Sequence, residues 1–294
     1  MIRIKNPKNT GMLPIVQKPK KYLIIDWSNF IRRAYHSGSS SKVLELIVFM
    51  LAKLKREHPG HRLVVALEGR GSEIRAGMFP AYKANRKPDS DFDTIAQKAK
   101  KLLDFIEGTL IRAPEGEADD AIACFVKRME KGSKALLISE DRDLWQLLRG
   151  DAVCAVVRKS GVVNAYKCKE LLGVPPENVA CLKSLLGDSD NIPRGVPRMR
   201  TVLLTELAQH GTHPGAAYQN AKAKGALTEK QLARVVKYKE QIDLNYKLIR
   251  LRDALKLRTK QQKGDPTGFM KFLSDQQLYG VSVQLVDKIT REEP

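Results

Sequence analysis

Residues 22–26 read Tyr-Leu-Ile-Ile-Asp, an apolar run that ends in a carboxylate. Two further runs share this form: Leu63 to Leu67 runs into Glu68, and Ala135 to Ser139 into Glu140, Asp141 and Asp143. Short, continuously apolar stretches suit strands buried on both faces of a parallel sheet. Between them, Val43, Leu46, Ile47, Met50, Leu51 and Leu54 recur at helical spacing, as do Ile122, Phe125, Val126 and Met129. Strand and helix in alternation predict an α/β fold. In an open sheet of this kind ligands bind at the carboxyl ends of the strands, so acids distant in sequence are expected at one edge.

Other acids join this set. Glu117-Ala118-Asp119-Asp120 opens the second helix, where short acidic side chains cap free N–H groups and meet the favourable end of the helix dipole. Gly187-Asp188-Ser189-Asp190-Asn191 has the composition of a turn or cap. Asp26, Glu68, Glu117, Asp119, Asp120, Asp141, Asp143, Asp188 and Asp190 are then nine carboxylates expected to gather in one place. Like charges so close repel or take up protons unless a hard cation joins them. Mg²⁺ or Mn²⁺ accepts such oxygen ligands, and two ions about 4 Å apart clamp both the attacking and the leaving oxygen of a phosphodiester.

The rest of the chain has the opposite sign. Its 294 residues carry 52 Lys+Arg against 33 Asp+Glu, a formal charge of +19 that attracts polyphosphate. An acidic centre in a basic molecule fits a metal-dependent nuclease better than a plain DNA-binding protein. The longest apolar stretch, Leu46 to Ala52, is too short for a membrane span, and the basic N-terminus has no secretory signal, so a cytoplasmic location is expected. Cys124, Cys154, Cys168 and Cys181 form no C-x-x-C pair and read as buried free thiols, while His210 and His213 read as surface residues. Trp145 reads as core; Trp27, beside Asp26, reads as core packing with substrate stacking as the lesser alternative.

Five runs, I-I-D-W-S-N-F-I-R-R-A-Y-H (24–36), F-P-A-Y-K-A-N-R (79–86), E-G-E-A-D-D-A-I (115–122), S-E-D-R-D-L-W-Q-L-L (139–148) and L-L-G-D-S-D-N-I-P (185–193), resemble in that order the structure-specific 5′-nuclease family. That family comprises flap endonucleases, the 5′-nuclease domain of bacterial DNA polymerase I, and stand-alone phage 5′-exonucleases and ribonucleases H. The resemblance covers roughly residues 21–255. It implies a PIN-like parallel sheet flanked by helices, with a smaller helical region of the helix-three-turn-helix type that grips duplex DNA. The expected organisation is a basic tail at 1–20, a catalytic domain at 21–180 with a helical arch near 78–100, a DNA-binding region at 181–257, and a C-terminal segment at 258–294. Within the last, Thr259 to Pro266 reads as a linker, and the amphipathic piece from Phe269 to Leu285 is expected to pack back or meet a partner.

By position, the resemblance makes Asp26, Glu68, Glu117 and Asp119 ligands of the catalytic metal, and puts Asp120, Asp141, Asp143, Asp188 and Asp190 on the side of a second ion. Arg75, Lys83 and Arg86 match positions at the base of the arch, where Lys83 would neutralise charge on the scissile phosphate and Arg86 would hold a neighbouring phosphate in a forked grip. Tyr82 would stack on a base. The implied activity is Mg²⁺-dependent hydrolysis at 5′ flaps, 5′ ends or RNA primers by a monomer acting on DNA or an RNA–DNA hybrid in replication or repair, in the host cytoplasm if phage-encoded, with a replication protein as a further partner. A PIN-type ribonuclease and a non-catalytic junction-binding protein are the alternatives.

Three departures from the family pattern stand out. Glu68 replaces the usual aspartate; Asp188 and Asp190 are separated by one residue where the family has two, which on a helix would turn them roughly 200° apart. Gly195-Val196-Pro197-Arg198-Met199-Arg200 lacks the paired glycines of a cation-binding hairpin, so Arg198 and Arg200 are expected to meet duplex phosphates directly.

Overall fold

A computed structural model describes residues 19–37, 42–150, 152–158 and 161–291. Residues 1–18 of the expected basic tail lie outside the described residues. The chain runs β1 (Lys21–Asp26), α1 (Trp27–Tyr35), α2 (Val43–Glu57), β2 (Arg62–Leu67), α3 (Gly71–Met78), α4 (Ser90–Leu102), β3 (Gly108–Arg112), α5 (Ala118–Arg128) and β4 (Lys134–Ile138). It continues through β5 (Val153–Arg158), β6 (Gly161–Val163), α6 (Ala165–Leu172) and α7 (Val179–Leu186). The helices α8 (Thr201–Gln209), α9 (Pro214–Ala223), α10 (Glu229–Lys237) and α11 (Lys239–Ile249) follow, and β7 (Arg258–Gln262), α12 (Pro266–Asp275) and α13 (Val283–Thr290) close the chain.

The seven strands form one sheet in the order β6-β5-β4-β1-β2-β3-β7. The inner five are parallel, and β6 and β7 add antiparallel edges. Alternate side chains of β1 enter opposite cores: Tyr22 and Ile24 pack with α5 and α7 residues, whereas Leu23 and Ile25 pack with residues of α1, α2, α4 and α12. Burial on both faces is why these strands read as unbroken apolar runs.

Strand order sets the position of the site. The chain adds β2 and β3 on one side of β1, then crosses back to place β4 on the other, so the switch in direction lies between β1 and β4. The strand ends are in step, with Ile25 opposite Ile138, Asp26 opposite Ala66 and Leu67 opposite Arg112. Asp26, Glu68 and the Ser139–Asp141 turn therefore leave the sheet at one edge, at the switch point where such folds bind ligands.

Three expectations need correction. The span 259–266 is no linker, because Arg258–Gln262 is a strand paired antiparallel with β3; its polar R-T-K-Q-Q is an exposed edge held by backbone bonds, without alternating apolar residues to announce it. A boundary at 180/181 would cut α7, whose Val179, Cys181, Leu182 and Leu185 share a core with Val64 and Ile111 of the sheet. Nor does an arch stand free across 78–100: residues 79–89 form turns and loop, and α4 buries Phe92, Ile95, Ala99 and Leu102 against the core that holds α1 and α2.

Candidate metal and phosphate site

The loop that follows each strand presents its acid through local hydrogen bonds. Asp26 caps α1, its Oδ1 accepting from the Asn29 N–H at 3.1 Å while its Oδ2 accepts from Ser139 Oγ at 3.1 Å. Ser139 Oγ in turn accepts from the Asp141 N–H at 3.1 Å, and Asp141 Oδ1 accepts from the Asp143 N–H at 2.8 Å. Glu68 Oε2 accepts from the Ala118 N–H at 3.0 Å, which ties the end of β2 to the start of α5.

Asp26, Glu68, Glu117, Asp119 and Asp141 line one cavity of about 350 Å³, with Arg32, Lys83, Arg86 and Lys87 around it. An adjoining cavity of about 520 Å³ is lined by Asp141, Asp143, Asp188 and Asp190 together with Arg86 and Lys183. Asn29, Arg86 and Asp141 belong to both. Eight of the nine predicted carboxylates thus border one continuous cleft.

Asp120 is the exception. It is 0% exposed, takes a bidentate grip from Arg75 at 3.0 and 3.0 Å, and accepts from Arg252 Nη2 at 2.8 Å. Burial alone would raise its pKa, but Arg75 and Arg252 hold it below the usual carboxylate range. Arg75 is likewise 1% exposed, with its Nε donating to the Leu248 carbonyl at 2.9 Å. Neither lines the cleft, so this pair locks α3, α5 and the residues after α11 together and does not touch a ligand.

Tyr82 also departs from expectation. It is buried, and its hydroxyl donates to Glu117 Oε1 at 3.1 Å, so its ring is not open for stacking on a base. Glu117 is the hub of this corner, accepting from Ser72 Oγ at 2.7 Å and Lys83 Nζ at 2.6 Å, with Arg75 at 3.4 Å. Burial raises its pKa, but Arg75 and Lys83 outweigh that and keep it ionised below its ordinary range. Trp27, 4% exposed and stacked on Phe30 at 5.8 Å, is core packing, as is Trp145 at 1%.

Three carboxylates of the cleft with no ion-pair partner among the described residues are shifted upward. Burial and the nearby Glu68 push Asp26 up to about 7. Asp119 is raised well above its ordinary value by burial and by Asp120, and Glu68 is raised by burial and by Glu117. Such mutual repulsion is relieved either by protons or by a cation. Among the described residues no three Asp, Glu, His or Cys side chains form a group that could hold an ion unaided. The donor set is nonetheless all oxygen with no imidazole or thiolate lining the cleft, which suits Mg²⁺ or Mn²⁺, ions that keep several waters and take one or two carboxylates.

Asp188 and Asp190 sit in a tight non-helical turn closed by pairing of Asp188 with Ile192, so the one-residue spacing does not turn them apart as a helix would. The 79–89 segment is fastened to this turn: the Lys83 N–H donates to the Asp190 carbonyl at 3.0 Å, Asn85 Nδ2 to the Ser189 carbonyl at 3.0 Å, and Arg86 Nη2 to Asp190 Oδ1 at 2.7 Å. Arg198 and Arg200 are exposed, outside the cleft, and Arg198 adopts φ +56°. The carbonyls of the same turn are taken from within, Pro197 by Arg234 and Met199 by Arg194 at 2.7 Å. Nothing in the sequence by itself marks Lys183, Arg252, Asn29 or Arg32 as parts of this site. Lys183 stands five residues before Asp188 on α7, a spacing that carries no recognisable signal.

Known proteins agree with this architecture. Residues 21–173 match the family described as 5′-3′ exonuclease, N-terminal resolvase-like domain. The thermostable DNA polymerase I of Thermus aquaticus is 27% identical over 258 residues, 84% of this chain and 30% of the relative, so the chain spans under a third of that protein. A 5′-3′ exonuclease of Buchnera aphidicola is 27% identical over 195 residues, 62% of this chain and 67% of the relative. Among solved structures, the bacteriophage T5 flap endonuclease in complex with DNA and metal ions superposes with a TM-score of 0.64 at 20% identity, covering 92% of this chain and 97% of that one. The catalytic core of Rad2 with a DNA substrate gives 0.54 at 18%, covering 92% and 91%. With that match extending over β1 to β6 and the acids that follow β1, β2 and β4, the chain belongs to the 5′-3′ exonuclease family through its N-terminal resolvase-like domain.

Proposed function

We propose that this protein is a structure-specific 5′ nuclease that hydrolyses phosphodiesters of DNA bearing 5′ flaps or ends with the help of Mg²⁺ or Mn²⁺. The observation that carries the reading is the cleft at the switch point, where Asp26, Glu68, Asp119 and Asp141 have no ion-pair partner among the described residues and Lys83, Arg86, Lys87 and Arg32 rim the same cavity. An ion bound among those acids, directly by one or two of them and through water by the others, would supply Lewis-acid activation of water and charge neutralisation. The chain's own residues do the rest. Lys83, fixed by Glu117 at 2.6 Å, places an ammonium beside the acids to oppose charge on a scissile phosphate, and Arg86 offers a half-exposed guanidinium for a neighbouring phosphate. Asn29 links the two strand ends by accepting from the Glu140 N–H at 2.8 Å, which holds the carboxylates at a fixed separation.

The test is one assay of a 5′-labelled flap, a nicked duplex and an RNA–DNA hybrid with wild type and Asp119→Asn. Cleavage by wild type in Mg²⁺ or Mn²⁺, abolished by EDTA and by Asp119→Asn with junction binding retained, supports the reading. Tight junction binding with no cleavage in either metal rejects it.

A further inference from the structure

The acids of the cleft fall into two groups that differ in how their charge is met. Asp26, Glu68, Asp119 and Asp141 have no ion-pair partner among the described residues, whereas Asp143, Asp188 and Asp190 are all paired. Asp190 is met by Arg86 at 2.7 Å and Lys83 at 3.9 Å. Asp143 and Asp188 share one ammonium: Lys183 Nζ lies 2.5 Å from Asp143 Oδ1 and 2.6 Å from Asp188 Oδ2. Resting on the nuclease reading above, we propose that Lys183 stands in the place a second divalent ion would need, so that the protein binds one divalent ion tightly, at the Asp26 group, and carries the second positive charge in its own chain.

The surroundings make that placement durable. Lys183 is 16% exposed at its side chain and sits on the last turn of α7, where the Gly187 N–H returns to its carbonyl at 2.8 Å. Gly187 has φ +82°, and a Cβ there would lie 2.6 Å from the Ile192 carbonyl oxygen, so the turn delivers Asp188 back beside Lys183 by a route open to glycine alone. Asp188 then has no idle oxygen, since Oδ1 accepts from the Ser189 N–H at 2.7 Å and Oδ2 from Lys183. An ion entering between Asp143 and Asp188 would have to displace the ammonium into a cleft already rimmed by Arg86 and Arg142. An ammonium has three donors, of which two are engaged here, and Lys183 lines the larger cavity, so one N–H remains for a phosphate oxygen.

Full-length wild type, Lys183→Met and Lys183→Arg are titrated with Mn²⁺ alone and bound ions counted by electron paramagnetic resonance. One tight site in wild type and in Lys183→Arg, with a second site in Lys183→Met at least tenfold tighter than any second site of wild type, supports the proposal. Two sites of comparable affinity in wild type overturn it and leave the nuclease reading intact, as does a Lys183→Met protein that still binds one ion. No site in wild type sinks both. The wild-type count decides between one ion and two even if Lys183→Met does not fold.

Discussion

Asp26 turns the metal reading into a measurable dependence of stability on pH. In the metal-free protein its carboxyl is pushed up to about 7 by burial and by Glu68, against an ordinary 3.8. The folded state therefore holds this proton more tightly than the unfolded state, so stability falls as pH rises from 3.8 and stops falling above about 7. At about 1.4 kcal/mol for each pH unit of that interval the loss approaches about 4 kcal/mol at pH 8, roughly 8 °C in Tm for a chain of this size. Glu117, Asp120 and Asp188 are shifted the other way, so their contributions are complete by pH 5 and do not mask the trend. Asp26→Asn keeps a good helix cap and removes the charge. Melting in EDTA should show the variant gaining on wild type as pH rises from 5 to 8, and Mg²⁺ should raise the wild-type Tm far more at pH 8 than at pH 5. A wild-type-to-variant difference that stays constant across that range refutes the reasoning.

Arg75→Met leaves Asp120 buried with only Arg252 to meet it, and urea unfolding should show a loss of about 3 kcal/mol with kcat unchanged at temperatures where the variant is folded. Lys83→Ala should lower kcat by roughly 10² to 10³ on a flap substrate while leaving Tm within a few degrees, read by single-turnover cleavage. Replacing Arg198 and Arg200 together by Ala should reduce the slope of log K against log salt by one to two phosphate contacts, about 0.9 each, in duplex-binding titrations; an unchanged slope rejects a phosphate role for them.

The apolar runs made the centre of the fold legible. β1, β2 and β4 stand at Lys21–Asp26, Arg62–Leu67 and Lys134–Ile138, because strands buried on both faces leave no other pattern. β3, β5, β6 and β7 left weaker traces: Gly108–Arg112 is half exposed, and Arg258–Gln262 has polar side chains throughout and is a strand by virtue of its backbone bonds to β3. For the site, acids at strand ends and at the start of one helix sufficed to bring Asp26, Glu68, Asp119 and Asp141 together. They did not reveal which acids would be neutralised from inside. Arg75 and Arg252 reach Asp120 from 45 and 132 residues away, pairings that only the packed structure discloses.

The antiparallel edge strand ties late synthesis to the completion of the sheet. Ile111 pairs with Thr259 and Gly108 with Gln262, contacts that bridge about half of the chain. A nascent polypeptide can lay down β1 to β6 in turn, yet β3 keeps a bare row of donors and acceptors until residue 262 has left the ribosome. Closing so wide a loop carries a large entropic cost before any contact rewards it, which makes this docking a late and slow step on the route to the native state. During that interval the unprotected rim of the sheet is the part of the molecule most open to pairing with a neighbouring chain.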